Sequence, residues 1–168
     1  MQKILVVDFG SQYTQLIARR LRELNVYSEV CPWDEIPNLD SVDGFVLSGG
    51  PESSNIEGNP NISSKIFKTK KPILGICYGM QVLAFQEGGE IQNEGNKEFG
   101  YAKINLSNQT SLFINTSDSI DVWMSHGDKV ISLPEGYETL ASSDNSPIAA
   151  YQNLKKNYFG LQFHPEVT

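Results

Sequence analysis

Pro72-Ile73-Leu74-Gly75-Ile76-Cys77-Tyr78-Gly79-Met80-Gln81 passes from one structural period to another within a few residues. The apolar run 72–76 has the length and character of a buried parallel strand. Residues 78–87 carry a helical pattern that stops at Gly88-Gly89. A strand feeding directly into a helix is the unit of an α/β fold, because parallel strands need a crossover between them. The junction has the form G-x-C-x-G, the thiol counterpart of the nucleophile elbow G-x-S-x-G. A residue at so sharp a turn sits in strained backbone, and glycine at the flanking positions 75 and 79 avoids clashes with neighbouring elements. The turn pushes the Cys77 sulfur out of the sheet and sets it at a helix N-terminus, where the dipole favours negative charge. It also leaves the Tyr78 N–H free to face an oxyanion. Most free cysteines are buried structural thiols; the strand–Gly–Cys–Gly–helix setting points instead to a nucleophile.

Working outward, residues 3–9 form an apolar run that ends at Gly10-Ser11, a second buried strand. Ser11 is placed to cap a helix whose apolar face is Tyr13, Leu16, Ile17, Leu21 and Leu24. Strands follow at 26–31, stopping at Pro32, and at 44–47, ending in the turn Ser48-Gly49-Gly50-Pro51. A helix is expected over 62–70. Strands alternating with helices imply a mostly parallel sheet covered by helices on both faces. The second half is richer in strands, at 101–106, 120–124, 148–152 and 158–163, and reads as an antiparallel extension. No repeat, low-complexity tract or long linker divides the chain, so residues 1–168 form one domain. Ligands of such sheets bind beyond the carboxyl ends of the strands, which directs attention to Gly10, to 48–51 and to 75–79.

Composition narrows the function. With 39% hydrophobic and 10% aromatic residues the chain can bury a core. A net charge of -7 and a pI near 4.8 argue against nucleic acid or an anionic membrane as partner, since phosphate contacts need a basic surface. The longest basic clusters are the pairs Arg19-Arg20, Lys70-Lys71 and Lys155-Lys156. No stretch reaches the roughly 18–20 apolar residues of a membrane span, and the N-terminal Ile4-Leu5-Val6-Val7 is too short for a signal-peptide core. The expectation is a cytoplasmic protein. Its two cysteines, Cys31 and Cys77, are too few for a disulfide framework, and no CxxC or Cys/His spacing suggests a metal.

A thiol nucleophile needs a base, and only His126 and His164 are available. His164 lies in Phe163-His164-Pro165-Glu166, where Pro165 biases its neighbour towards an extended conformation. Residues two apart in an extended segment point the same way, so Glu166 can orient the imidazole and stabilise its charged form. The same tetrapeptide also fits an exposed turn after a strand. His126, in Met124-Ser125-His126-Gly127-Asp128, is a rival base with Asp128 as its orienting partner. The glycines of 48–51 can supply a second oxyanion donor, although most paired glycines merely serve a turn. Asp8-Phe9-Gly10 matches a kinase motif but has no lobe before it. Ser48-Gly49-Gly50 is similar to an ATP-pyrophosphatase phosphate loop but continues wrongly into Pro51-Glu52. No P-loop or dinucleotide fingerprint occurs.

Taken together, Gly75–Gln81, the downstream Phe163-His164-Pro165-Glu166 and the upstream Ser48-Gly49-Gly50-Pro51 resemble the class I glutamine amidotransferases. Within them, Asp8-Phe9-Gly10-Ser11-Gln12-Tyr13, Glu98-Phe99-Gly100-Tyr101-Ala102 and Trp123-Met124-Ser125-His126-Gly127-Asp128 resemble the GMP synthetase branch. The resemblance implies a flavodoxin-like sheet and hydrolysis of glutamine to glutamate and ammonia for the amination of XMP. It implies that Cys77 is the nucleophile, His164 the base and Glu166 its orienter, with Gly50 and Tyr78 as oxyanion donors. Gly49, Gln81, Ser125 and Gly127 match positions around the substrate, and His126 becomes structural or substrate-lining. No cofactor is implied here; ATP and Mg2+ belong to an ATP-pyrophosphatase partner, and the whole enzyme would be a homodimer. The alternatives are the glutaminase component of another class I system, such as anthranilate synthase, or a regulatory module without turnover. Two departures stand out. Asn96-Lys97 occupies a place where the family more often has an arginine before Glu-Phe-Gly, which bears on a partner contact rather than on the chemistry. The chain also ends at Val167-Thr168, where the family continues, which suggests an excised domain or a separate polypeptide trimmed at its end.

Overall fold

A computed structural model describes residues 1–93, 97–107 and 111–167. Its first half holds β1 (Lys3–Asp8), α1 (Thr14–Glu23), β2 (Tyr27–Pro32), β3 (Gly44–Leu47), α2 (Ser64–Thr69), β4 (Ile73–Ile76) and α3 (Tyr78–Gln86). The second half holds β5 (Glu90–Gln92), β6 (Glu98–Leu106), β7 (Ser119–His126), β8 (Lys129–Ser132), β9 (Glu138–Ser142), β10 (Ala150–Asn153) and β11 (Tyr158–Leu161), with a 3-10 turn at Ser111–Phe113. The main sheet runs β2-β1-β3-β4-β11-β10-β9-β6-β7. Pairing is parallel from β2 to β11 and antiparallel from β11 to β7, which is the expected mixed architecture.

Alternation along β1 explains the layering. Leu5 and Val7 pack with Ile66 of α2 and Met80 and Leu83 of α3. Ile4 and Val6 face the other way, with Ile17 and Leu21 of α1. A separate core of Ile104, Val122, Met124, Leu140, Leu161 and Phe163 closes the antiparallel part. Buried side chains run all along α3 from Tyr78 to Ala84, so this helix is a central element. It ends in a Schellman motif: Gly88, at φ +110°, donates to Phe85 O and Gly89 donates to Ala84 O. Among the described residues no helix is long and apolar enough to cross a membrane.

Several boundaries differ from expectation. Helix α1 starts at Thr14 with Tyr13 as N-cap; Ser11 does not cap it, because its Oγ accepts from Tyr13 N at 2.9 Å in a turn one step earlier. Leu24 lies beyond the last helical turn and is 71% exposed, off the apolar face. Helix α2 is shorter than 62–70, since Ser63 caps it by accepting from Lys65 N. Strand β6 begins at Glu98 and β7 continues to His126, each longer than the sequence suggests, while β10 and β11 are shifted or shortened at their ends. Strands β5, β8 and β9 were not expected from sequence.

Gly79 packs so tightly that an added Cβ would lie 2.5 Å from the Leu47 carbonyl oxygen, a backbone atom that cannot rotate away. Gly58, at φ +88°, has open space around its Cβ position and carries only backbone strain. Gly79→Ala is therefore expected to destabilise by about 3 kcal/mol or more, against about 1 kcal/mol for Gly58→Ala. Urea unfolding measures both, and equal losses would contradict the close packing of α3 on β3.

Candidate active site

Strands β4 and β11 pair in parallel with Ile76 opposite Leu161, so the residues that follow each strand emerge at one edge of the sheet. This brings Cys77 and His164 together from distant parts of the chain. Cys77 has φ +53° and ψ −109°, a left-handed conformation that strains any residue but glycine by about 1–3 kcal/mol. The strain is held from three sides. Cys77 N donates to Leu161 O at 2.7 Å, Gly79 N donates to Ser48 O at 3.0 Å, and Gln81 N closes the first helical turn on Cys77 O. The Cys77 thiol donates to Ser125 O at 3.4 Å.

His164 is fixed by its backbone, which donates to Trp123 O at 2.9 Å. Residues 164–167 form a turn closed by Val167 N donating to His164 O, rather than the extended segment expected. The Glu166 carboxylate nevertheless folds back onto the ring, with Oε1 at 3.3 Å and Oε2 at 3.4 Å from His164 Nδ1. Oε1 makes no well-directed hydrogen bond, so the contact there is electrostatic. Arg20 of α1 donates to Glu166 O at 3.0 Å. The Tyr13 ring meets the imidazole edge-on at 5.2 Å. Burial alone would lower the His164 pKa, but hydrogen bonds to Cys77 and Glu166 and the charges of both push it up to about 10.

The turn after β3 approaches the same point. Ser48 Oγ accepts from Phe9 N at 2.9 Å and donates to Gly49 O at 2.8 Å. A Cβ on Gly50 would fall 2.6 Å from Phe9 O, and one on Gly49 would fall 3.1 Å from His164 Cε1. Glycine at 49 thus lets the imidazole lie against the main chain, while Gly50 borders the open space beside Cys77. Among the described residues, neither Gly50 N–H nor Tyr78 N–H donates to another backbone group.

His126, the rival base, has both ring nitrogens engaged. Nδ1–H donates to the Asp128 carbonyl at 2.8 Å, so the Asp128 carboxylate is not its orienter. Nε2 lies 2.8 Å from Glu98 Oε1, and Glu98 also accepts from Ser146 Oγ at 2.7 Å and Ser143 Oγ at 2.8 Å. Burial alone would raise the Glu98 carboxyl; these hydrogen bonds outweigh it and hold it below the ordinary carboxylate range. The network pins the 125–128 segment from behind. Gln81 pins it from α3, its Nε2 donating to Asp128 O at 2.9 Å and to Gln162 Oε1 at 3.1 Å. Ser125, Gln81 and Gly127 border one cavity of about 350 Å³ beside Cys77, together with Lys97. Asn96 and Thr168, the other residues of the two departures, lie outside the described residues.

Three contributors escape a reading of the sequence as parts of a site. Tyr13 sits in the strand-end turn after β1, and Glu98 leads a quoted motif, so both carry a signal of place. Nothing local marks Arg20, whose partner is 146 positions away.

A strained thiol at a helix N-terminus, an imidazole paired with a carboxylate, and two backbone N–H groups without a backbone acceptor are the parts that thiol-dependent acyl transfer requires. The family model for class-I glutamine amidotransferases matches residues 5–168, and the chain belongs to that family. It is 47% identical over 171 residues to a GMP synthase [glutamine-hydrolyzing] of Vibrio vulnificus, covering 99% of this chain and 33% of that one. The corresponding Pectobacterium carotovorum protein is also 47% identical, over 178 residues, covering 99% of this chain and 34% of that one. The chain therefore spans about a third of the length of these curated relatives. Among solved structures, a Thermoplasma acidophilum protein assigned as a GMP synthase subunit superposes with a TM-score of 0.85 at 32% identity, covering 99% of this chain and 85% of that one. A Thermotoga maritima glutamine amidotransferase shares the fold, with a TM-score of 0.80 at 24% identity, covering 99% of this chain and 76% of that one.

Proposed function

We propose that this chain hydrolyses glutamine to glutamate and ammonia through a glutamyl thioester on Cys77, and that the ammonia serves the ATP-dependent amination of XMP to GMP. The observation that carries the chemistry is the strained Cys77 at the head of α3, sharing one cavity with an imidazole that Glu166 supports. The sulfur passes its proton to His164 as it attacks the carboxamide carbon, and the N–H groups of Gly50 and Tyr78 hold the oxyanion. His164 gives its proton to the departing nitrogen as the C–N bond breaks, leaving the acyl group on sulfur. It then takes a proton from water, whose oxygen replaces sulfur, and glutamate is released with the thiol restored.

The raised His164 pKa explains why the imidazole can serve in both directions. Burial opposes its charge, while the sulfur and Glu166 support it. Thioester formation removes the support of the sulfur, so burial gains weight at the moment the proton must leave. Gly49, Gln81, Ser125 and Gly127 form the surroundings of the substrate, with Gly49 supporting the imidazole and the other three lining the cavity.

The partner is an ATP-pyrophosphatase unit holding ATP, Mg2+ and XMP, in a whole enzyme that is a homodimer; the chemistry of this chain itself uses no cofactor. The support is the 47% identity to proteins named GMP synthase. A cytoplasmic site of action belongs to the same proposal and suits two free thiols.

A glutaminase of this kind would waste glutamine if the acceptor were absent, so the partner must bias an element with two arrangements. The turn 48–51 is that element, since rotation of one peptide there removes or supplies an oxyanion donor, an effect of about 100- to 1000-fold in turnover. The isolated chain is expected to hydrolyse glutamine slowly while Cys77 alkylates readily. An added ATP-pyrophosphatase partner with ATP, Mg2+ and XMP should accelerate hydrolysis about 100-fold, and a chorismate-using partner should not. Full-speed hydrolysis that ignores the XMP-dependent partner would count against the assignment.

A further inference from the structure

Two cavities meet at Cys77. Both are bordered by Gly50, Pro51, Cys77 and Ser125, and they diverge from there. The larger, of about 350 Å³, continues past Gln81 and Gly127 and is bordered by Glu52, Lys97 and Asp128. The smaller, of about 280 Å³, contains His164 and continues along Gly10, Ser11, Gln12 and Tyr13. Among the described residues lining this smaller space there is no Asp, Glu, Lys or Arg. The smaller is lined by exposed Gly10 and Gln12 and the larger by exposed Glu52, Lys97 and Phe99, with exposed Pro51 between them.

We infer that the two cavities divide the traffic of the reaction: glutamine occupies the charged cavity, and ammonia leaves through the smaller one, past Gly10–Tyr13. The inference rests on the proposed hydrolysis and adds a direction to it. The α-ammonium and α-carboxylate of glutamine favour charged partners, which among the described lining residues only the larger cavity provides, in Glu52, Lys97 and Asp128. His164 borders only the smaller cavity, so the nitrogen that receives its proton faces that side. Ammonia released there is small and neutral, and the wall beyond His164 offers no carboxylate to trap it as ammonium. Two carboxylates stand just outside this lining and both are engaged: Glu166 is paired with His164 Nδ1, and Asp8 Oδ1 accepts from Gly10 N and from Thr14 Oγ1, both at 2.8 Å. The mouth at Gly10–Gln12 is then the surface over which an ammonia-consuming partner sits.

Hydroxylamine, an uncharged amine close to ammonia in size, can enter by the exit route and attack the thioester carbon. Glutamyl hydroxamate forms, and the sulfur leaves with the proton. Gln12→Trp narrows the exit at an exposed position, and Ser53→Trp narrows the charged cavity. With Gln12→Trp, alkylation of Cys77 by a glutamine-like chloroketone should stay within about twofold of the parent, which also shows an intact site, while the rate constant for hydroxylamine falls about tenfold. Ser53→Trp should do the reverse, slowing alkylation and raising KM for glutamine about tenfold with the hydroxylamine rate constant retained. If Gln12→Trp slows alkylation as much as hydroxamate formation, or changes neither, the division is wrong. Failure of the unaltered chain to alkylate at Cys77 would instead overturn the hydrolysis itself.

Discussion

Cys77→Ala is expected to remove glutamine hydrolysis, by at least about 10⁴-fold, with the chain still folded. No thioester can form without the sulfur, and the remaining oxyanion donors and imidazole can at best assist water. The fold should survive because the elbow is held by backbone hydrogen bonds from Cys77, Gly79 and Gln81, none of which uses the side chain. Alanine meets the same φ +53° strain that cysteine does. Cys31→Ala is the matched control. Cys31 is buried on β2, its thiol pushed up to about 11 by burial and by nearby Asp8, so it stays neutral at pH 7. Hydrolysis close to the parental rate is expected for that variant, measured as glutamate released. Substantial hydrolysis by Cys77→Ala would end the mechanism.

His164→Asn carries the second large loss. It removes both proton transfers, for which about 10²- to 10⁴-fold is typical, whereas Glu166→Gln removes only the orienting charge and should cost less. His126→Ala should act mainly through stability, because it breaks the buried contact with Glu98. The His164 imidazole should titrate near 10 in the unaltered chain and lower in Cys77→Ala, as followed by its NMR signal. Because its folded pKa lies above the ordinary 6.5, the protonated imidazole contributes stability that is fully present below about 6.5 and is lost as pH rises through about 10. Titration near 6.5, unaffected by Cys77, would remove the sulfur–imidazole coupling.

What is legible in the sequence is what local neighbours enforce. The elbow needs glycine at 75 and 79 because an added Cβ would meet the Gly79 or Leu47 backbone within 2.6 Å, so the chemistry leaves a compact motif. Strands β1, β3 and β4 are buried on both faces and stand out as apolar runs. Strand β9 does not: Glu138-Thr139-Leu140-Ala141-Ser142 buries only Leu140 and Ala141 and gains its place by pairing with β10 and β6. Strands β5 and β8 stabilise one another as a separate pair, a non-local effect no window of sequence contains. The site divides in the same way. Cys77 and the His164–Glu166 pair are marked by their own neighbours, but the choice between His164 and His126 depends on β11 pairing beside β4, and on Glu98 occupying His126. Tyr13, read as one apolar position of a helix, is the N-cap residue and lies against the imidazole.

The most direct test of the account is to catch the intermediate. The chain is mixed with glutamine, quenched in acid within the first turnovers and digested, and the peptides carrying Cys77 and Cys31 are weighed. The account predicts a glutamyl adduct on Cys77, absent from His164→Asn at the same time point, and none on Cys31. Hydrolysis that proceeds with no acyl group on Cys77, or with the adduct on Cys31, would contradict it.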